Sequence, residues 1–204
     1  MKIKRLIVLL FALLALTLLG CSAAALHGGQ DDHSNQVTTA EFESKKTEFS
    51  ESMVIGFSVE EVFPLLGPVR ESDWIPGWEA DLIWSESGFA EEGAIFQTAL
   101  HGDVKETWVI SQYEPMEKIV FVHYNPTVVT RLIIELTDGG DHTQLIWTES
   151  KTAMDKIGYD YLSTLTQEHY STSINDFATM LSYFLETGEM IDADAVHETT
   201  PSHD

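Results

Sequence analysis

Between Trp78 and Ser150, residues that favour turns interrupt apolar, β-prone stretches about every ten residues, and this spacing constrains the fold more than any other feature. Candidate strands run over 78–86, 93–101, 105–114, 118–124, 127–137 and 142–150. The breaks fall at Ser87-Gly88, Gly102-Asp103, Glu114-Pro115, Asn125-Pro126 and Asp138-Gly139-Gly140-Asp141. The last is a strong hairpin signal, because glycine accepts the positive φ of a tight turn. Connections this short join neighbouring antiparallel strands, so the segment reads as a meander. After Asp155 the period changes. Tyr170, Ile174, Phe177, Leu181 and Phe184 step by fours and threes along one helical face, and Tyr161, Leu162 and Leu165 extend it upstream. One helix of about 25 to 30 residues is expected, starting between Lys156 and Asp160 and capped by Gly188.

Ahead of the meander, Thr47 to Phe57 reads as a further strand, making about seven in all. Ser58-Val59-Glu60-Glu61 has the pattern of a helix start, and Pro64 shortens or kinks that helix. Gly67-Pro68 ends it, and a second short helix is expected over Val69 to Trp74. The fold class is α+β: a curved antiparallel sheet must bury one face, and only the long C-terminal helix can cover it. A wedge between helix and sheet is a natural place for a small molecule.

This order of elements resembles the helix-grip superfamily, which includes START lipid-transfer domains, birch-pollen-allergen-like proteins and the polyketide cyclase/dehydrase branch. The resemblance spans about residues 47–191. Val59-Glu60-Glu61-Val62-Phe63 resembles its first helix, Asp73-Trp74-Ile75-Pro76-Gly77-Trp78 its Trp-containing segment, and Thr143 to Thr148 its "TxLxWT" strand. It implies a cavity for an apolar or amphipathic molecule, with Trp74 and Trp78 at the mouth. It does not fix a ligand.

The N-terminus points to export. Lys2, Lys4 and Arg5 precede a nearly unbroken apolar run, Leu6 to Leu19, that is short for a membrane span. Leu18-Leu19-Gly20-Cys21 resembles a bacterial lipobox, in which the cysteine is acylated and becomes the new N-terminus. Cys21 is the only cysteine. Residues 1–20 therefore read as a lipoprotein signal peptide and 21–45 as a lipidated cysteine and flexible linker. Residues 46–191 form the helix-grip domain and 192–204 an acidic tail. The resemblance implies a lipid-anchored location, on the outer membrane facing the periplasm if the host is Gram-negative, since Ser22 and not aspartate comes after the cysteine.

The chain holds 11 basic and 33 acidic residues, a formal charge of −22; cleavage before Cys21 removes three basic residues and no acidic one, leaving −25. Such a surface disfavours nucleic acid and anionic membrane faces as partners. The expected partners are a hydrophobic small molecule and, through Cys21, the membrane. No cofactor or metal is expected. The eight histidines lack ligand spacing, His197 and His203 read as solvated tail residues, and no nucleophile elbow, zinc-protease, P-loop or dinucleotide motif occurs.

Candidate pocket residues are Trp74, Trp78, Trp108 and Trp147, with Trp84 a weaker one, because indoles line apolar cavities and carry one polar edge. His123 can donate, accept or move a proton near neutral pH. Arg131 could clasp a carboxylate, although a surface ion pair is its default. Strand alternation puts Leu145, Trp147 and Glu149 on one face, with Glu149 toward the pocket. Glu135 and Glu149 are possible bases if desolvated, and His169 reads as a helix-border residue. Three functions are compared: a lipid-anchored binder or carrier, which these residues favour; a cyclase/dehydrase-type enzyme using His123 with Glu149 or Tyr113; and a structural lipoprotein whose cavity is filled by its own tryptophans.

Overall fold

The computed structural model describes residues 42–101, 104–193, 195 and 196. The signal segment, Cys21, most of the linker, His197 and His203 lie outside the described residues. Seven strands form one antiparallel sheet: β1 Lys46–Ile55, β2 Ala80–Trp84, β3 Ile95–His101, β4 Val104–Glu114, β5 Lys118–Tyr124, β6 Val128–Asp138 and β7 Thr143–Ala153. The spatial order is β1-β7-β6-β5-β4-β3-β2, so β2 to β7 is a meander and β1 joins it beside β7. At the β6–β7 hairpin Gly140 adopts φ 85° and donates its N–H to Asp138.

Between β1 and β2 lie α1 Val59–Val62, a 3-10 turn Phe63–Leu66 and α2 Pro68–Glu71. The Glu61 carboxylate accepts from the backbone N–H and hydroxyl of Ser58. Pro64 sits at the start of the 3-10 turn, where its missing N–H costs nothing, so α1 ends at Val62 and does not continue through it.

The expected single C-terminal helix is two: α3 Lys156–Thr164 and α4 Gln167–Thr187. Leu165 and Thr166 are extended, and the Thr166 side chain accepts from the His169 N–H, which starts α4 afresh. Gly188 closes α4 at φ 73°, donating to the Phe184 carbonyl. Gly158 lets α3 lie directly on the loop before β6; a Cβ there would stand 2.1 Å from the Thr127 carbonyl oxygen. The packed unit exceeds 46–191 at both ends: Phe42 packs on Val128, Ala153 and Leu162, while Ile191 and Val196 are buried in the main core.

Strand pairing orders the concave face into rows. One row runs Trp108, His123, Thr130, Lys151 and Thr47; the next runs Ile110, Phe121, Leu132, Glu149 and Phe49. Past a bulge in β4, a third runs Tyr113, Ile119, Ile134, Trp147 and Glu51. Along β6 and β7 buried side chains alternate with more exposed ones, so parity alone decides which residues of these strands face the core.

Candidate functional site

The rows cross two different environments. Over β2 to β5 the concave face is filled by aromatic rings. Trp108 stacks between Phe96, centroid at 5.5 Å, and His123, at 3.7 Å. Trp78 and Phe121 meet Trp108 edge-on. Trp74 is fully buried, edge-on to Phe177 of α4. Each of these three indole N–H groups is spent: Trp74 donates to the Leu65 carbonyl, Trp78 to the Pro68 carbonyl and Trp108 to the Thr98 hydroxyl.

Over β1, β7 and β6 the face is open. A cavity lies there between the sheet and helices α3 and α4, about 620 Å³ of space between atoms including its open mouth. The sheet supplies Phe49, Leu132, Trp147, Glu149 and Lys151; the helices and the link between them supply Tyr161, Leu165, Thr166, His169, Tyr170, Ser173, Ile174 and Phe177. Most of the wall's surface is apolar, with the polar groups of residues such as Glu149, Lys151, Thr166, His169 and Ser173 set into it, as in small-molecule sites. Phe177 touches both regions, edge-on to Trp74 on one side and to Trp147, at 5.3 Å, on the other. Phe49 and Tyr170 stack at 5.7 Å, and the Tyr170 hydroxyl donates to the Trp147 carbonyl.

Two charged side chains enter this apolar wall. Lys151 Nζ and Glu149 Oε2 lie 2.7 Å apart, with the residues only 8% and 6% exposed. Burial works to lower the Lys151 pKa, but Glu149, Tyr161 and Glu106 outweigh it and the net displacement is upward, so the ammonium stays charged. Burial raises the Tyr161 hydroxyl, which remains protonated, and raises that of Tyr170, with Glu149 and Glu51 adding to it. The Trp147 indole N–H is buried and has no hydrogen-bond partner.

His123 lies next to this group, not in it. Its Nδ1 is 3.2 Å from Glu106 Oε2, within ion-pair distance but out of line for a full hydrogen bond, and Nε2 has no partner. Asn125 donates to Glu106 at 2.8 Å. Burial would raise the Glu106 pKa; contacts with His123, Asn125 and Lys151 outweigh it and hold the carboxyl below its usual range.

The structure thus gathers Trp147 and Glu149 at the cavity and keeps Trp74, Trp78 and Trp108 in the filled region. Arg131 is exposed on the convex face, opposite Val122 and Ser150. Glu135, also exposed, pairs with Lys118 at 2.9 Å, and Trp84 is 52% exposed on the edge strand. Tyr113 packs on Phe63, two rows from its strand neighbour His123 and three strands from β7. His169 lines the cavity rim on α4. Sequence reasoning passed over Lys151, Tyr161, Tyr170 and Phe49 as site residues. The signal for Lys151 was present: extending the alternation of Trp147 and Glu149 by one step reaches it. Among the described residues, no three His, Cys, Asp or Glu side chains gather into a metal-holding group, and no helix is long and apolar enough to cross a membrane.

No protein-family model matches the chain, and no curated protein matches its sequence. Solved structures share its fold. Truncated norcoclaurine synthase from Thalictrum flavum superposes with a TM-score of 0.54 at 10% identity, over 73% of this chain and 99% of that one. An uncharacterized protein from Rhizobium leguminosarum gives 0.54 at 11% identity, over 71% and 97%. A hypothetical protein from Helicobacter pylori gives 0.53 at 10% identity, over 68% and 87%. The chain has the helix-grip fold: a curved seven-stranded antiparallel sheet, short helices after the first strand and a long C-terminal helix.

Proposed function

We propose that the chain is a membrane-tethered bacterial lipoprotein whose helix-grip domain binds or carries a small apolar or amphipathic molecule. One observation carries the binding part: the wedge is open where α3 and α4 cover β1, β7 and β6, and there it presents an apolar wall with a buried Glu149–Lys151 pair. The Lys2 to Cys21 pattern supports the tether. One acyl chain holds only marginally, at roughly 0.8 kcal/mol per buried methylene, whereas the several chains of an acylated N-terminal cysteine hold firmly.

A reaction centre of His123 with Glu149 or with Tyr113 lacks support. Tyr113 packs on Phe63, His123 faces Glu106, and Glu149 is neutralised by Lys151. The self-filled reading describes the tryptophan-rich region but not the cavity beside it.

Native mass spectrometry of the full chain released from detergent tests the binding reading. A defined small molecule leaving on denaturation is the expected result; bare or acyl-modified polypeptide mass in every preparation, with no uptake of added hydrophobic probes, would refute it. Cell fractionation tests the tether: wild type is expected in membranes and Cys21→Ser in the soluble fraction, and a soluble wild type contradicts it.

A further inference from the structure

The cavity wall has spare donors around Lys151. Glu149, its one carboxylate, is engaged by Lys151 at 2.7 Å. The Lys151 ammonium has three N–H groups and one such partner, so it can still donate. Tyr161 stands on the facing helix α3 within electrostatic reach of Lys151, and its protonated hydroxyl has no partner among the described residues. The Trp147 N–H behind them is also unpaired. An acceptor oxygen on an entering molecule would satisfy these donors.

Charge decides which kind of acceptor. Glu149 and Glu106 act on Tyr161, and Glu149 and Glu51 act on Tyr170. Of these carboxylates Glu149 lines the cavity, where it offsets the charge of Lys151. A ligand anion would add an unbalanced charge to a buried pair that is already neutral, and would have to compete with Glu149 for the ammonium. An uncharged oxygen avoids both costs.

Resting on the binding reading above, we infer that the ligand is an uncharged molecule with an apolar body and a carbonyl-type oxygen, received by the Lys151 ammonium and the Tyr161 hydroxyl. Fatty acids and other carboxylates are held more weakly by the same groups. Lys151 is held charged, so it serves here as a donor and not as a nucleophilic amine.

Three matched probes test this on the full chain in detergent: phenylacetone, phenylacetate and propylbenzene. The reporter is the Trp147 indole N–H cross-peak in a ¹⁵N-labelled sample, assigned by its loss in Trp147→Phe. Phenylacetone is expected to shift that peak and to bind about tenfold or more tightly than phenylacetate. Tyr161→Phe, which keeps the ring, is expected to weaken phenylacetone about fivefold, the scale of one hydrogen bond, and to leave propylbenzene unchanged. Phenylacetate binding as tightly as phenylacetone overturns the inference. So does a Tyr161→Phe variant that binds phenylacetone like wild type while propylbenzene still binds; the cavity reading would then survive alone. If none of the three probes binds, the cavity reading falls too.

Discussion

The two regions of the concave face use the same kinds of residue to opposite ends. Over β2 to β5, Trp74, Trp78 and Trp108 bury their rings against Phe96, Phe121 and Phe177, and each donates its N–H to a protein oxygen. Over β1, β7 and β6, Trp147 is as buried as Trp108, yet its N–H has no partner and its neighbours include a buried ion pair. A satisfied indole is structural fill; an unsatisfied one beside a cavity leaves a place for something else, because an orphan donor in the interior costs about 1–3 kcal/mol. Phe177 is the partition between them.

The comparison breaks most forcefully at Trp74. Trp74→Ala removes the largest fully buried side chain and strands the Leu65 carbonyl. A loss of about 3–5 kcal/mol is expected in chemical denaturation. A loss under about 1 kcal/mol would mean that the tryptophan-rich region collapses freely and is not a rigid wall.

Glu71 tests the same region by pH. It sits buried in α2, and burial lifts its carboxyl from 4.5 to about 8. The folded protein keeps a proton that the unfolded chain releases above pH 4.5. Its favourable contribution is therefore complete below that pH and falls away as the pH rises toward 8. Glu71→Gln should flatten this slope and stabilise the protein at pH 8.5 by on the order of a few kcal/mol. Parallel stability curves for the two proteins between pH 5 and 8.5 would contradict it.

How much of this was legible in the sequence divides along the same line. Turn chemistry and strand alternation are local and periodic, so the seven strands, the Gly140 hairpin and the inward face of Leu145, Trp147 and Glu149 could be read directly. Trp74 and Trp78 could be placed, at the cavity mouth, by resemblance alone, because they lie between α2 and β2, where no period sets side-chain direction. The break at Leu165–Thr166 was hidden by Leu162 and Leu165, which continue the apolar spacing across it. Lys151 was lost by ending β7 at Ser150, since a lysine at a strand end reads as solvated unless its partner Glu149 is already known to be buried.

The open region is sharpened next by Gly158→Ala. The added methyl would meet the Thr127 carbonyl and Val128, pushing α3 away from the sheet. An overpacking cost of about 1–3 kcal/mol is expected in thermal unfolding. Because α3 carries Tyr161 and leads into Leu165, ligand uptake should weaken with it, whereas Trp74→Ala should leave the cavity wall on β7 in place.

The finest distinction comes from one substitution made twice. Trp108→Phe and Trp147→Phe remove the same atoms from residues of equal burial, each 5% exposed. At 108 the change also leaves the Thr98 hydroxyl, itself buried, without its donor. At 147 no hydrogen bond is lost, and an unsatisfied donor is removed. The volume terms are alike, so the difference between the variants isolates the hydrogen bond: Trp108→Phe is expected to be the less stable by about 1–3 kcal/mol, with Trp147→Phe within about 1 kcal/mol of wild type. Equal losses in urea unfolding would mean that the Trp147 N–H is already satisfied in solution, by water in the cavity, and that the two regions differ in space but not in hydrogen bonding. A larger loss at 147 would make it structural fill like the others.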